Sequence, residues 1–171
     1  MDAFGDSALS GYRLGSCCSN YGDVQQRWIV VESQARQQAD LKQLDKRLAK
    51  QLLKGQSELR QLCQQHFACE QDARIAAACF ESKLSLHQLG NVEVHEVRQY
   101  LGRGRPRKDA GATSYYQVRA SLMPKETAIA VEVRCAGRFI LATNVLDIDE
   151  LPDDDVLREY KAQQSTERGF R

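Results

Sequence analysis

The stretch GRFILATNVLDIDELPDDDVLREYKAQQSTERGFR, residues 137–171, combines a strand pattern, an acidic loop and a helix pattern. The apolar run FILA at residues 139–142 is bounded by a glycine before it and by polar turn residues after it, which is typical of a buried strand. Pro152 and the three aspartates after it predict a helix N-terminus, where negative charge is favoured. Residues three or four positions apart then share one helix face: Val156, Tyr160, Gln163, Glu167 and Phe170. Because a carboxylate on an inward face needs a partner, Glu167 requires a functional explanation.

This helix resembles the glutamate signature of the DDE transposases of bacterial insertion sequences, which reads Tyr, two residues, Arg, three residues, Glu, six residues, Lys. Here the pattern is Tyr160, two residues, Gln163, three residues and Glu167. The blocks GRFILATN (residues 137–144) and YGDVQQRW (residues 21–28) also look like one branch of this family, in which glutamine commonly replaces the arginine. Several separate blocks in the right order make the resemblance specific, and it covers the chain from about Gly11 onward.

The resemblance implies an RNase H-like domain in which three carboxylates hold two Mg²⁺ or Mn²⁺ ions for in-line phosphoryl transfer. It makes Glu167 the third catalytic and metal-binding carboxylate, and it places Tyr160 and Gln163 beside the glutamate, near the cleaved DNA. A glutamine makes only neutral hydrogen bonds, so its phosphate contact is expected to be weaker than that of arginine. The signature lysine would fall three residues past Arg171, and the two partner aspartates would precede the chain. We therefore expect a C-terminal piece of a transposase that binds no metal tightly and is inactive alone.

A second candidate site is the basic segment GRGRPRK at residues 102–108. Its Arg-Gly-Arg-Pro core resembles the AT-hook, whose arginines lie in the narrow minor groove of A·T-rich DNA. Five basic residues and no acidic residue occur between Val97 and Lys108. A solvated loop between two strands is the alternative, but within a transposase the segment favours salt-sensitive, non-specific DNA contacts. The predicted DNA-binding residues are Arg103, Arg105, Arg107 and Lys108.

The centre of the chain predicts two helices. Residues 34–64 are rich in helix-forming residues, and their leucines form a heptad-like seam whose missing member is Gly55. The seam consists of Leu41, Leu44, Leu48, Leu52, Leu59 and Leu62. A second helical pattern with an alanine-rich stripe runs from about Glu70 to Leu89, so we expect an antiparallel hairpin over about residues 34–89. Leucines at this spacing favour core packing over a ligand site.

Strand patterns occur around residues 28–31, 92–97 and 115–122. Residues 124–136 are ambiguous, because the Pro-Lys-Glu start favours a helix whereas three β-branched residues favour a strand; we choose the helix. The predicted fold class is α+β, with a long antiparallel helical hairpin, a small mixed β-sheet and a C-terminal helix. The predicted division is an irregular lead-in at residues 1–27, an insertion region at 28–136, and the strand with the glutamate helix at 137–171.

Composition narrows the functional classes. No stretch approaches the ~18 apolar residues of a membrane span and no secretory signal is apparent, so we expect a cytoplasmic, nucleoid-associated protein without a membrane partner. The six cysteines form no Cys-x-x-Cys pair, so reduced thiols are expected. Cys63, His66 and Cys69 favour small thiols and a turn histidine over a zinc site. The aspartates around residue 150 favour a solvated loop and a helix N-terminus over a metal cluster.

Three functional hypotheses follow. The first is a fragment of a DDE transposase, whose parent enzyme cleaves and joins DNA strands with Mg²⁺ or Mn²⁺. Its partners would be DNA (transposon ends and non-specific phosphate contacts) and a second copy or the full-length transposase. The alternative is a non-enzymatic DNA-binding or dimerising module that uses the basic segment and the helical hairpin. A third hypothesis, a purely helical interaction protein, requires exposed seam leucines.

Overall fold

The computed structural model describes residues 4–100 and 112–168, except for the side chains of Tyr100, Ala112 and residues 164–168. Within these residues the chain is α+β, as predicted, with six strands and four helices. The strands are β1 (Gly5–Asp6), β2 (Tyr12–Tyr21), β3 (Val24–Ser33), β4 (His87–Tyr100), β5 (Ala112–Pro124) and β6 (Arg138–Thr143). The helices are α1 (Gln34–Gln64), α2 (Glu70–Glu81), α3 (Glu126–Cys135) and α4 (Asp153–Arg168).

The larger sheet has the strand order β1-β2-β3-β6, and each neighbouring pair is antiparallel. β2 and β3 form a hairpin whose turn residues, Gly22 and Asp23, both have positive φ, as tight hairpin turns require. The predicted irregular lead-in at residues 1–27 is therefore wrong, because this turn brings two ten-residue strands into register. The predicted small mixed sheet is also wrong, because all the described strand pairs are antiparallel. In addition, β4 and β5 form a second, two-stranded sheet.

One face of the larger sheet carries an apolar core. Ile29 and Val31 of β3 lie opposite Leu141 and Phe139 of β6, and alternation along the strands places all four on the same face. The fully packed members of this core come from two strands and from α4: Leu14, Ile29, Val31 and Leu157. Residues distant in sequence are thus joined by burial of a common apolar surface.

The leucine seam of α1 is inside the protein. Its members are buried or half-buried, as predicted for core residues. The third hypothesis, which requires exposed seam leucines, therefore loses its support. A Cβ added at Gly55 would lie 2.8 Å from Cδ2 of Leu122, so the missing seam member is a glycine because β5 approaches α1 there.

The helical hairpin packs on β5 as well as on itself. One cluster combines residues from α1, α2 and β5: Leu59, Leu62, Ala73, Ala77, Phe80 and Val118. α2 ends at Glu81, well before the predicted end at Leu89. The reason is the pairing of β4 with β5, in which Leu89 lies opposite Leu122 and its backbone joins the ladder instead of a helix.

The ambiguous segment before β6 is a helix, as chosen from its sequence. α3 spans Glu126–Cys135, and the glycine that follows, Gly137, has a φ of 79°. This left-handed conformation ends helices readily only in residues without a Cβ. The β-branched Val131 and Val133, which argued for a strand, are exposed on α3.

The chain divides into two compact units. We call Met1–Gln43 with Arg134–Arg171 the sheet unit and Leu44–Val133 the hairpin unit. The hairpin unit interrupts the sheet unit in sequence, and β3 belongs to the sheet unit, whereas the sequence places residues 28–33 in the predicted insertion region, 28–136. None of the described helices is long and apolar enough to cross a membrane.

Candidate functional site

The helix with the glutamate signature is anchored at its N-terminus by the first residues of the chain. Asp154 Oδ1 accepts hydrogen bonds from the Ser7 hydroxyl and, at 3.1 Å, from the Ala8 backbone N–H. Asp155 pairs with Arg158 one turn later. Negative charge in the first turn also suits the helix dipole. The predicted helix N-terminus at these aspartates is therefore confirmed, and Asp154 also ties it to residues 7 and 8.

The remaining aspartate of this turn, Asp153, pairs with a buried arginine. Arg27 is 3% exposed, its Nε lies 3.5 Å from Oδ1 of Asp153, and its Nη2 donates to the Leu151 carbonyl. Arg27 is not among the site residues predicted from the sequence. The available signal was its position: Arg27 has the same parity on β3 as the inward-facing Ile29 and Val31, and a charge on an inward face needs a partner. Arg27 belongs to the YGDVQQRW block, so the pair connects that block with α4.

Two residues of α4 bury its inner face against the larger sheet. Leu157 is fully buried, and Tyr160 packs beside it, with its ring centroid 5.5 Å from that of Phe139. Phe139 comes from the GRFILATN block. The shared-face prediction included Tyr160 but not Leu157, which is fully buried.

The remaining signature residues lie further along α4. Gln163 is exposed, so it is at the edge of the inner face and not within it. Glu167 lies in the helical part of α4, and its side chain is outside the described atoms. With ~100° per residue, a residue seven positions after Tyr160 returns to within ~20° of its direction around the helix axis. The backbone of Glu167 is thus aligned with Tyr160, about two turns further on.

The described residues do not assemble a metal site. Among them, no group of three or more histidine, cysteine, aspartate or glutamate side chains is arranged so that it could hold a metal ion. The aspartates nearest to the signature are engaged by protein groups, as described above, and an ion would have to displace those partners. The donor set that a two-metal centre needs is not present in this part of the chain.

The basic segment predicted to bind DNA falls outside the described residues, including Arg103, Arg105, Arg107 and Lys108. Its position in the chain is nonetheless informative. The strands on either side of it pair with each other, and the register extends to Tyr100 opposite Ala112. The segment therefore connects the two strands of an antiparallel hairpin.

The cysteine and histidine residues near the α1–α2 connection have structural roles. The Sγ of Cys69 accepts the Asp72 N–H at 3.3 Å and caps α2, while the His66 ring stacks on Tyr115 with centroids 3.8 Å apart. All six cysteines are free thiols. His87, predicted on a helix, instead begins β4 and is 4% exposed. No zinc site is formed by these residues.

No family model, curated protein or solved structure matches this chain.

Proposed function

We propose that this chain comprises the insertion region and the glutamate helix of a DDE transposase with an RNase H-like core, the parent activity being metal-dependent DNA strand cleavage and transfer. One observation carries the proposal: the three sequence blocks that resemble the family meet in the sheet unit. Trp28 of YGDVQQRW pairs with Ala142 of GRFILATN, and Tyr160 of the signature packs on Phe139. Separate blocks that converge in space are expected of a single functional unit.

The division of the chain gives further support. Leu44–Val133 forms its own compact unit between the segments of the sheet unit, as an insertion would. A sheet that continues across such a long interruption requires matched strand faces, and Val31 opposite Phe139 supplies them. The insertion therefore leaves the sheet's pairing intact.

Under this proposal the signature residues have distinct roles. Glu167 contributes one of three carboxylates, and one carboxylate does not hold two metal ions, so this chain alone is expected not to cleave DNA. Tyr160 orients the helix through its contact with Phe139. Gln163 is exposed and uncharged, so it contributes at most neutral hydrogen bonds to a DNA strand.

DNA contact is assigned to the basic segment between β4 and β5. The segment carries three arginines and a lysine, and the two strands that it joins pair with each other. Such contacts neutralise phosphates, and their affinity falls steeply as salt rises. The Arg-Gly-Arg-Pro core adds a preference for the narrow minor groove of A·T-rich DNA.

The test is a salt titration of duplex DNA binding by fluorescence anisotropy, with A·T-rich and G·C-rich duplexes of equal length. We expect a steep salt dependence for the wild-type chain and a preference for the A·T-rich duplex. Changing Arg103, Arg105 and Arg107 to alanine should lower the slope of log K against log salt by about 2–3, since each phosphate contact contributes ~0.9.

A matched control removes the same charge elsewhere in the hairpin unit. Lys46, Lys50 and Arg60 are exposed on α1 and form no ion pair with any described carboxylate. Their change to alanine should leave the slope nearly unchanged. Equal losses in both triple variants would mean that the DNA contact is general electrostatics and not a property of the basic segment.

The inactivity of the isolated chain is tested separately with supercoiled plasmid in Mg²⁺ and in Mn²⁺. We expect no nicking above the buffer control. Nicking that disappears on changing Glu167 to glutamine would contradict this expectation, because it would show that this chain completes a metal centre by itself.

A further inference from the structure

A cleft in the sheet unit lies beside the signature helix. It has a volume of about 300 Å³ and is formed where the start of α1, β2, β6 and α4 come together. We call this cleft the aromatic–basic cleft and define it by six of its lining residues: Tyr12, Ser33, Arg36, Phe139, Tyr160 and Lys161. A volume of this size is near the lower end of those that bind small ligands, and a single nucleotide fits that range.

The cleft is positively charged. Arg36 and Lys161 contribute cationic side chains, and none of the described residues that line the cleft is acidic. α1 begins at the cleft without an acidic residue in its first turn, so the positive end of its dipole adds to the same field. The arrangement favours an anion with several acceptor oxygens, such as a phosphate.

Neither cation is strongly neutralised by the protein. The Arg36 Nε lies 3.8 Å from Oδ2 of Asp40, but that oxygen already accepts the Gly137 N–H at 2.9 Å. No described carboxylate forms an ion pair with Lys161. An arriving phosphate would therefore gain two charge-assisted contacts without breaking a strong internal pair.

Aromatic rings accompany both cations. The Arg36 guanidinium carbon lies 5.2 Å from the Phe139 ring centroid, and the Lys161 Nζ lies 4.4 Å from that of Tyr12. These cation–π contacts hold the charged groups close to the rings before any ligand arrives. Surfaces that bind single-stranded nucleic acids combine the same two components, a positive groove and aromatic faces on which bases stack.

We propose that the aromatic–basic cleft binds one nucleotide of single-stranded DNA, with its phosphate between Arg36 and Lys161 and its base against Tyr12. The choice of DNA rests on the proposed function; the preference for a single strand follows from the rings. A base within a duplex has both faces covered by its neighbours, whereas an unpaired base offers a free face for stacking. The cleft residues belong to the sheet unit, whereas the basic segment falls within the sequence range of the hairpin unit.

The experiment measures anisotropy of a labelled single-stranded oligothymidylate and of a duplex of equal length with the full chain. In the cleft variant Arg36 and Lys161 are changed to alanine. In the control variant Lys42 and Arg134 are changed to alanine; both are exposed residues of the sheet unit outside the cleft, and the charge change is identical. We expect the cleft variant to lose single-strand affinity by roughly tenfold or more, and the control to keep it.

A second measurement reports on stacking. An oligothymidylate with one central 2-aminopurine changes its fluorescence when the base stacks on a ring. Tyr12→Leu should abolish the change and Tyr12→Phe should retain it, because phenylalanine keeps the ring and removes only the hydroxyl. If a substitution of Tyr12 disrupted the fold instead, both the anisotropy and the 2-aminopurine signal would change. The circular dichroism spectrum of the variant would change as well.

The outcomes separate this proposal from the previous one. The cleft proposal is overturned if single-strand binding survives in the cleft variant. It is also overturned if the wild-type chain does not bind single strands. If single-strand binding survives in the cleft variant but is lost when Arg103, Arg105 and Arg107 are changed, the basic segment keeps its role and the cleft does not. If only the cleft variant loses single-strand binding, and duplex binding is unchanged when the three arginines of the basic segment are replaced, the cleft proposal is supported and the proposed role of the basic segment is wrong.

Discussion

Replacing Gly137 by alanine should strongly destabilise the sheet unit. The glycine has a φ of 79°, and an added Cβ would lie 2.6 Å from the Gln37 Cβ and 2.8 Å from the Ser33 carbonyl oxygen. Neither contact is with the flexible end of a side chain, so the backbone itself would have to move. The same residue joins the start of α1 to β6, because its N–H donates to Asp40 and its carbonyl accepts the Ser33 N–H, both at 2.9 Å.

The magnitude follows from two costs and one compensation. Left-handed backbone costs alanine about 1–2 kcal/mol, and overpacking of a tight contact adds about 1–3 kcal/mol. The smaller conformational freedom of the unfolded alanine chain returns about 0.4–1 kcal/mol. The free energy of unfolding should therefore fall by about 1–4.6 kcal/mol, which lowers Tm by about 2–18 °C for a chain of this size.

The assay is urea denaturation followed by tryptophan fluorescence. Trp28 is the one tryptophan of the chain, and it lies on β3 opposite Ala142 of β6, so its emission reports on the sheet unit. Gly11→Ala is the matched control: Gly11 has nearly the same φ, 82°, but nothing lies within 4 Å of its added Cβ. The control should lose only the backbone cost less the same unfolded-state compensation, about 0–1.6 kcal/mol. Equal losses at the two positions would refute the steric part of the reasoning, and a wild-type midpoint for Gly137→Ala would refute all of it.

Three further predictions concern packing, charge and metal. Completing the leucine seam with Gly55→Leu should destabilise the hairpin unit by about 1–3 kcal/mol, and adding Leu122→Ala should restore part of the loss; urea midpoints of the single and double variants test this. Arg27→Ala should cost about 3 kcal/mol because it removes a buried side chain and leaves the half-buried Asp153 without its partner, whereas Arg27→Met with Asp153→Leu should recover most of it, as measured by Trp28 fluorescence. Excess Mg²⁺ should leave Tm unchanged relative to EDTA in calorimetry, and a rise of several degrees would reveal a metal site.

Local signals in the sequence were sufficient for α1, α3 and the start of α4, but not for the end of α2. α1 follows from a long run of helix formers with a leucine seam, and α4 from a proline and aspartates at its start. The N-terminal signals of α3 favour a helix over the strand that its β-branched residues suggest, and two of those residues, Val131 and Val133, are exposed on the helix. In each case the information lies within a few turns of the element itself.

Pairing between distant residues explains what the sequence did not reveal. β2 has few β-branched residues, and it is a strand because the Gly22-Asp23 turn folds it back on β3. Residues 87–89 read as the end of a helix, yet they pair with β5 more than 30 positions later. Such ladders depend on a partner that a local pattern does not contain.

The candidate site shows the same division between local and distant information. Tyr160 and Glu167 follow from spacing along one helix, but Arg27, Arg36 and Lys161 acquire their roles only from what they meet in space. In the sequence, Arg36 is one of many basic residues in a helical stretch. Its contact with the Phe139 ring depends on the pairing of β3 with β6. The chemistry of the cleft is therefore a product of the sheet's register, since a shift of one residue in β6 would turn Phe139 to the opposite face and remove the cleft together with the core.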